Sequence, residues 1–243
     1  MEKRKILRFL LILFLVACFW EAISSKDRIT EEENIMNNLT TFPEKKLRVA
    51  IMADIHSDSE QFEKMLFKAK DNGVDLVIVA GDLVERDDKR DLIEIKKILD
   101  KSELKYAVIP GDREKNLDNF TEIFGNDYQI VEMERVKFIL INNAFWRGLG
   151  EAQKKWIEEN VNDCHQKICL VVMHKALNNL FSVKIMGEGN EKVAAEAEWL
   201  KELLIVSGVK RIVAADLHYS TSYELEGLRT DIVGAISRED NLQ

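Results

Sequence analysis

Residues 47–52, Leu-Arg-Val-Ala-Ile-Met, form a short apolar run that stops at Ala53-Asp54-Ile55-His56. A segment of this kind reads as a buried strand that delivers two metal-capable side chains to its C-terminal end. Residues two apart in an extended chain project to the same side, so Asp54 and His56 can converge on one ion. A lone Asp-x-His pair arises readily by chance, and a plain loop at a strand end would account for it. Repetition is what constrains the chain, because four further strand-like runs end in polar motifs of the same chemical kind. Residues 76–80 are followed by Gly81-Asp82, 106–109 by Pro110-Gly111-Asp112-Arg113-Glu114, 168–173 by His174, and 211–215 by Asp216-Leu217-His218.

The segments between these runs have helical periodicity. Phe62, Met65, Leu66 and Ala69 lie on one face of residues 60–72, and Leu92, Ile95, Ile98 and Leu99 on one face of 91–101. Residues 151–164 bury Trp156, Ile157 and Val161, and residues 190–207 form the longest predicted helix, which Gly208 stops. An alternating pair at 128–133 and 136–142 predicts a hairpin, hence a mixed sheet. Two short strand-like segments, 222–226 and 230–236, finish the chain.

A length of 243 residues suits one domain of ordinary size plus an N-terminal extension. The net charge of −8 argues against a nucleic-acid partner, since broad phosphate-backbone binding needs a basic surface. Of the cysteines, Cys18, Cys164 and Cys169, the last two read as buried free thiols. One ends a predicted helix and the other sits inside a predicted strand; a Cys164–Cys169 pairing is the alternative.

Lys3, Arg4, Lys5 and Arg8 precede residues 9–20, which carry no charge. A basic start followed by an apolar run shorter than the ~20 residues that span a bilayer reads as a targeting segment. Residues 1–25 are therefore expected to be a signal sequence or membrane anchor. Three routes fit: a lipobox-like Leu15-Val16-Ala17-Cys18 with Cys18 lipidated, cleavage near Ala22-Ile23-Ser24, or an uncleaved anchor. Each leaves the rest of the chain exported or membrane-anchored on the extracytoplasmic side. Residues 26–46, polar and containing Glu31-Glu32-Glu33, read as a linker.

Taken in order, the motifs over residues 47–243 resemble those of the calcineurin-like metallophosphoesterases, whose pattern runs Asp-x-His, Gly-Asp, Gly-Asn-His-Asp/Glu, His and Gly-His-x-His. The helix bearing Glu151 and Trp156 ahead of the His174 strand belongs to the same likeness. The resemblance implies an α/β fold, a four-layer α/β/β/α sandwich with two mixed β-sheets, and a dinuclear site at the strand ends. It assigns Asp54, His56, a bridging Asp82 and His218 to the first metal position, and Asp82, Asp112, His174 and Asp216 to the second.

Here the chain departs from the pattern. Asp112 stands in place of the family's asparagine, Asp216 in place of a histidine, and Ala215 in place of the glycine before it. Both acids can still ligate through oxygen, but they add negative charge to the second position. The implied cofactors are two divalent ions, manganese, iron or zinc, with the second position expected to take a harder ion or none.

Arg113 replaces the family's catalytic histidine. A guanidinium cannot donate the proton a leaving oxygen needs, although it can orient phosphate. The expected activity is thus a metal-dependent hydrolase acting on phosphate mono- or diesters or anhydrides, on a phosphorylated small-molecule or macromolecular substrate, with Arg113 and Asp82 in catalytic roles. The alternative is a weak or inactive metal-bound module with a binding or regulatory role. The segment 175–190 after the His174 strand would be a natural place for specificity as a loop over the site; a plain connector is the alternative.

Overall fold

The structure is a computed structural model that describes residues 46–180 and 182–237. The predicted targeting segment and almost all of the predicted linker lie outside the described residues. The described residues from Leu47 onward form one compact unit.

The elements run β1 (Val49–Met52), α1 (Ser59–Asp71), β2 (Leu76–Ala80), α2 (Lys89–Ser102), β3 (Tyr106–Ile109), α3 (Leu117–Phe124), β4 (Gln129–Met133), β5 (Val136–Ile141), α4 (Gly150–Val161), β6 (Ile168–Met173), α5 (Glu191–Val206), β7 (Arg211–Ala214), β8 (Thr221–Leu225) and β9 (Leu228–Ile232). β1, β2 and β3 form a three-stranded sheet that is parallel throughout. The second sheet has six strands in the order β4-β5-β6-β7-β9-β8. Its four inner strands are parallel, and the two edges, β4 on β5 and β8 on β9, are antiparallel hairpins.

The period of two in the strands produces the layers. Leu76, Ile78 and Ala80 of β2 face Phe138, Leu140, Val172 and Val213 of the other sheet, while Val77 and Val79 face Phe62, Leu66, Leu92, Ile95 and Leu99 of α1 and α2. On the second sheet Ile139 and Ile141 turn outward onto Ile157 and Val161 of α4 and Leu200 and Leu204 of α5. Two sheets thus meet face to face with helices outside, the sandwich that the resemblance implies, with the six-stranded sheet mixed and the three-stranded one parallel. Burying each of these aliphatic side chains contributes roughly 1.5–3 kcal/mol, which is why the strands read as near-continuous apolar runs.

Asp58, Asp88, Asn116 and Asn190 cap α1, α2, α3 and α5, each side chain accepting a backbone N–H of the first turn. The short α3 is not evident from periodicity. Its marks are the Asn116 cap and the i,i+4 ring pair Phe120 and Phe124, 5.2 Å between centroids.

Cys164 and Cys169 form a disulfide, which corrects the expectation of free thiols. The expectation extended the helix to Cys164, whereas α4 stops at Val161 and the chain turns back over 162–167. The turn brings the two Cα atoms to 5.5 Å, within bridging range.

Candidate metal centre

The two sheets bring the C-terminal ends of β1, β2, β3, β6 and β7 to one rim, the edge where open α/β sheets bind ligands. Short backbone bonds lock the loops there. The N–H groups of Asp54, Ile55, His56 and Ser57 bond to carbonyls of Gly81, Asp82, Asp82 and Leu83, and Ala215 N–H bonds to the His174 carbonyl.

The close approach has a requirement at two glycines. A Cβ at Gly81 would fall 2.6 Å from the Gly111 Cα, and one at Gly111 would fall 2.1 Å from Asp82 Oδ1. Glu114 completes the lock: fully buried, it accepts N–H bonds from Gly111, Asp82, Leu83 and Val84 at 2.7–3.1 Å. Burial and the nearby Asp82 charge push its carboxyl up to about 7, against the pull of the Gly111 and Val84 N–H groups. Donors converging on both of its oxygens fit the carboxylate form.

Backbone strain collects at the same rim. Asp54, His56, Asp82, Asp216 and His218 all have φ between 49° and 66°, the left-handed region. Each costs of order 1–3 kcal/mol and persists only where surrounding contacts fix it, a pattern typical of functional sites.

All the predicted ligands come together. Ligand atoms of Asp54, His56 and His218 lie within 4.8 Å of one another, as do those of Asp54, Asp82 and His174, and those of Asp112, His174 and Asp216. Asp82 stands between the groups: Oδ2 is 3.3 Å from His56 Nε2, and Oδ1 is 3.4 Å from His174 Nε2. Arg113 leans over the rim, its Nη1 3.2 Å from Glu85 Oε1 and its Nε 3.8 Å from Asp82 Oδ2. Sequence reasoning missed Glu85, which also faces His56 Nδ1 at 3.2 Å.

At the first position the residues fit a divalent cation. Asp54 is fully buried, and neither of its carboxylate oxygens has a hydrogen-bond partner among the described residues. An ionised carboxylate sealed in this way is costly unless a cation satisfies it. Burial, with Asp82 adding to it against the pull of His174 and His56, pushes the Asp54 carboxyl up to about 7. Asp82 goes the other way: burial alone would raise it, but the His174 charge and the hydrogen bonds from His56 and the Arg113 N–H hold it well below the usual carboxylate range.

The second position is built differently. The His174 ring is held by Nδ1 on the Ala80 carbonyl at 2.9 Å, which aims Nε2 at the acids. Burial would favour its neutral form; the charges of Asp82, Asp54 and Asp216 overcome this and push its pKa up to about 9. Lys175, the next residue, places Nζ 2.8 Å from Asp112 Oδ2 and 3.1 Å from Asp216 Oδ2. Asn143 fixes this corner by accepting both the His174 and Lys175 N–H groups and donating to the Lys175 carbonyl. Neither Asn143 nor Lys175 was foreseen as part of the site. For Lys175 a signal existed, since two acids added to a buried rim call for a compensating cation nearby.

Beside the rim opens a cleft of about 830 Å³ whose lining includes Arg113, Lys115, Phe145, Trp146, Lys175 and Asn190. It reaches into the segment that follows β6.

Two sheets packed face to face, with acids and imidazoles gathered at the C-terminal ends of their parallel strands, define a phosphoesterase-type α/β protein. The chain belongs to the calcineurin-like phosphoesterase family, whose model matches residues 47–221. Similar solved structures include TT1561 of Thermus thermophilus, at 15% identity and TM-score 0.58, covering 79% of this chain and 91% of that one. GAP50 of Plasmodium, described as the anchor in the inner membrane complex, aligns at 13% identity and TM-score 0.58 over 79% of this chain and 72% of its own. The purple acid phosphatase PPD1 of yellow lupin aligns at 15% identity and TM-score 0.58 over 77% of this chain; the match spans 44% of the lupin protein. These likenesses establish the fold. No curated protein matches the chain by sequence.

Proposed function

We propose that the protein is a metal-dependent phosphoesterase that hydrolyses phosphate esters whose leaving group departs without help from a protein acid. The observation that carries this reading is the sealed Asp54 carboxylate, which accepts no hydrogen bond from the described residues and is surrounded by His56, Asp82 and His218. These residues would hold one divalent transition ion, their mix of imidazole and carboxylate suiting manganese, iron or zinc. When bound, such an ion supplies Lewis acidity toward a phosphoryl oxygen.

The remaining work falls to the chain's own groups. Arg113, half-exposed at the mouth of the cleft, orients a phosphate through paired N–H donors and offsets its charge. It cannot protonate the departing oxygen, so substrates with acidic leaving groups, aryl phosphates or anhydrides, are favoured. Phe145 and Trp146 in the cleft wall offer a planar leaving group an apolar surface.

The test is the rate of hydrolysis of aryl phosphates of graded leaving-group pKa by the purified full chain reconstituted with manganese or zinc. Rates should rise steeply as leaving-group pKa falls; a flat dependence would contradict the assignment of Arg113. An Asp82→Ala control separates the protein's own turnover from contaminants.

A second reading, a metal-bound module without turnover, is favoured by the same loss of a proton donor at Arg113 and by likeness in fold to a protein described as an anchor. Hydrolysis no faster than that of the Asp82→Ala control, with metal bound, would select it. The Cys164–Cys169 disulfide supports placing the domain in an oxidising, extracytoplasmic compartment, with residues 1–25 exporting or tethering it.

A further inference from the structure

We propose that the ammonium of Lys175 takes the place of the second divalent cation, so that the centre holds a single metal ion at Asp54, His56, Asp82 and His218. This rests on the metal-site reading above and goes beyond it, because it concerns which cation the second cluster holds.

The second cluster gathers Asp82, Asp112, His174 and Asp216, a set that could otherwise embrace an ion. Its two distinctive acids, however, already share a cation. Nζ of Lys175 lies within charge-assisted hydrogen-bond distance of both, 2.8 Å from Asp112 and 3.1 Å from Asp216, and its side chain is 19% exposed. A divalent ion bound by the same two carboxylates would sit a few ångströms from the ammonium on their Oδ2 atoms, where like charges repel strongly. The second ion therefore does not fit the cluster as the chain builds it.

The chemistry of the replacements points the same way. An amide and an imidazole are neutral ligands suited to a dication; two carboxylates in their places match an ammonium. A lysine side chain carries one charge, offers donors in place of Lewis acidity, and cannot be removed by a chelator. The backbone position of Lys175 is not incidental, since Asn143 pins both its N–H and its carbonyl and so sets where the stem begins. Lys175 is a positioning residue here: it holds Asp112 and Asp216 in place beside the first ion.

The experiment counts ions. Full-length chain is stripped with chelator, saturated with Mn²⁺, freed of excess by gel filtration and analysed for metal per chain, beside Lys175→Met, which keeps the stem and removes the charge. Lys175→Gln serves as a second neutral variant should Lys175→Met fail to fold by circular dichroism. The expected result is about one ion per chain in the natural protein and about two in the neutral variants, because Asp82, Asp112, His174 and Asp216 become available to a dication. Two ions in the natural protein, or no gain on neutralising Lys175, would overturn the proposal. Failure of the first-site reading looks different: the natural protein would bind no Mn²⁺ at all, while the gain of one ion in the variants would still report on Lys175.

Discussion

On one side of Asp82, the Asp54 carboxylate is sealed from solvent, and neither of its oxygens has a hydrogen-bond partner among the described residues. On the other side, the carboxylates of Asp112 and Asp216 lie 2.8 and 3.1 Å from the Lys175 ammonium. The two clusters share Asp82 and resemble each other in donor type, yet their electrostatic problems are solved in opposite ways. On the reading proposed above, the first would take a cation from solution, whereas the second carries its own.

Perturbing what the two sides share should have the largest effect. Asp82→Asn keeps the shape and the acceptor for the Arg113 N–H but removes the charge that serves both clusters. Metal-dependent kcat/KM on an aryl phosphate should fall by about 10³-fold, a loss on the scale of a missing metal ligand. A fall of less than about tenfold would mean that the two sides work independently of Asp82.

Next comes the loop contact that holds Asp82. In Gly111→Ala, the new Cβ would meet Asp82 Oδ1 at 2.1 Å and the Asp82 backbone nitrogen at 2.2 Å, so the loops must separate. Overpacking of this kind should cost about 2 kcal/mol, lowering the melting temperature by several degrees, and it should weaken Mn²⁺ affinity at the first position.

The smallest effects are the most discriminating, because they should carry opposite signs on the two sides. In metal-free protein, Asp54→Asn removes a buried carboxylate that accepts no hydrogen bond from the described residues and should stabilise the fold by about 1 kcal/mol, while abolishing the rise in melting temperature that Mn²⁺ gives the natural chain. Asp216→Asn removes a partner of Lys175 and should destabilise by about 1 kcal/mol. Thermal melts of both variants with and without Mn²⁺ check the pair. Equal signs would erase the distinction between the clusters.

The rim itself was legible in the sequence because period-two apolar runs that stop at an acid or imidazole leave little choice about where those side chains go. Asp54, His56, Asp82, Asp112, His174, Asp216 and His218 gather in clusters whose ligand atoms lie within 4.8 Å of one another. Lys175 was hidden for a geometric reason. Its neighbour His174 is fixed by the strand, but a four-carbon stem can turn to solvent or to the rim, and only the Asn143 clamp and the two acids decide between them. Glu85 was hidden likewise, in a loop whose path depends on Glu114 binding its backbone. Beyond the site, α3 escaped because eight residues are too few to show periodicity, and the disulfide because an overextended helix placed Cys164 out of reach.

With Lys175 filling the second cluster, the rim should bind one metal ion, on the Asp54 side of Asp82. Anomalous diffraction from crystals of the Mn²⁺-loaded full chain measures this directly. The predicted map has a single peak among Asp54, His56, Asp82 and His218, with the Lys175 side chain between Asp112 and Asp216. A peak coordinated by Asp112, His174 and Asp216, with Lys175 swung away, would contradict it.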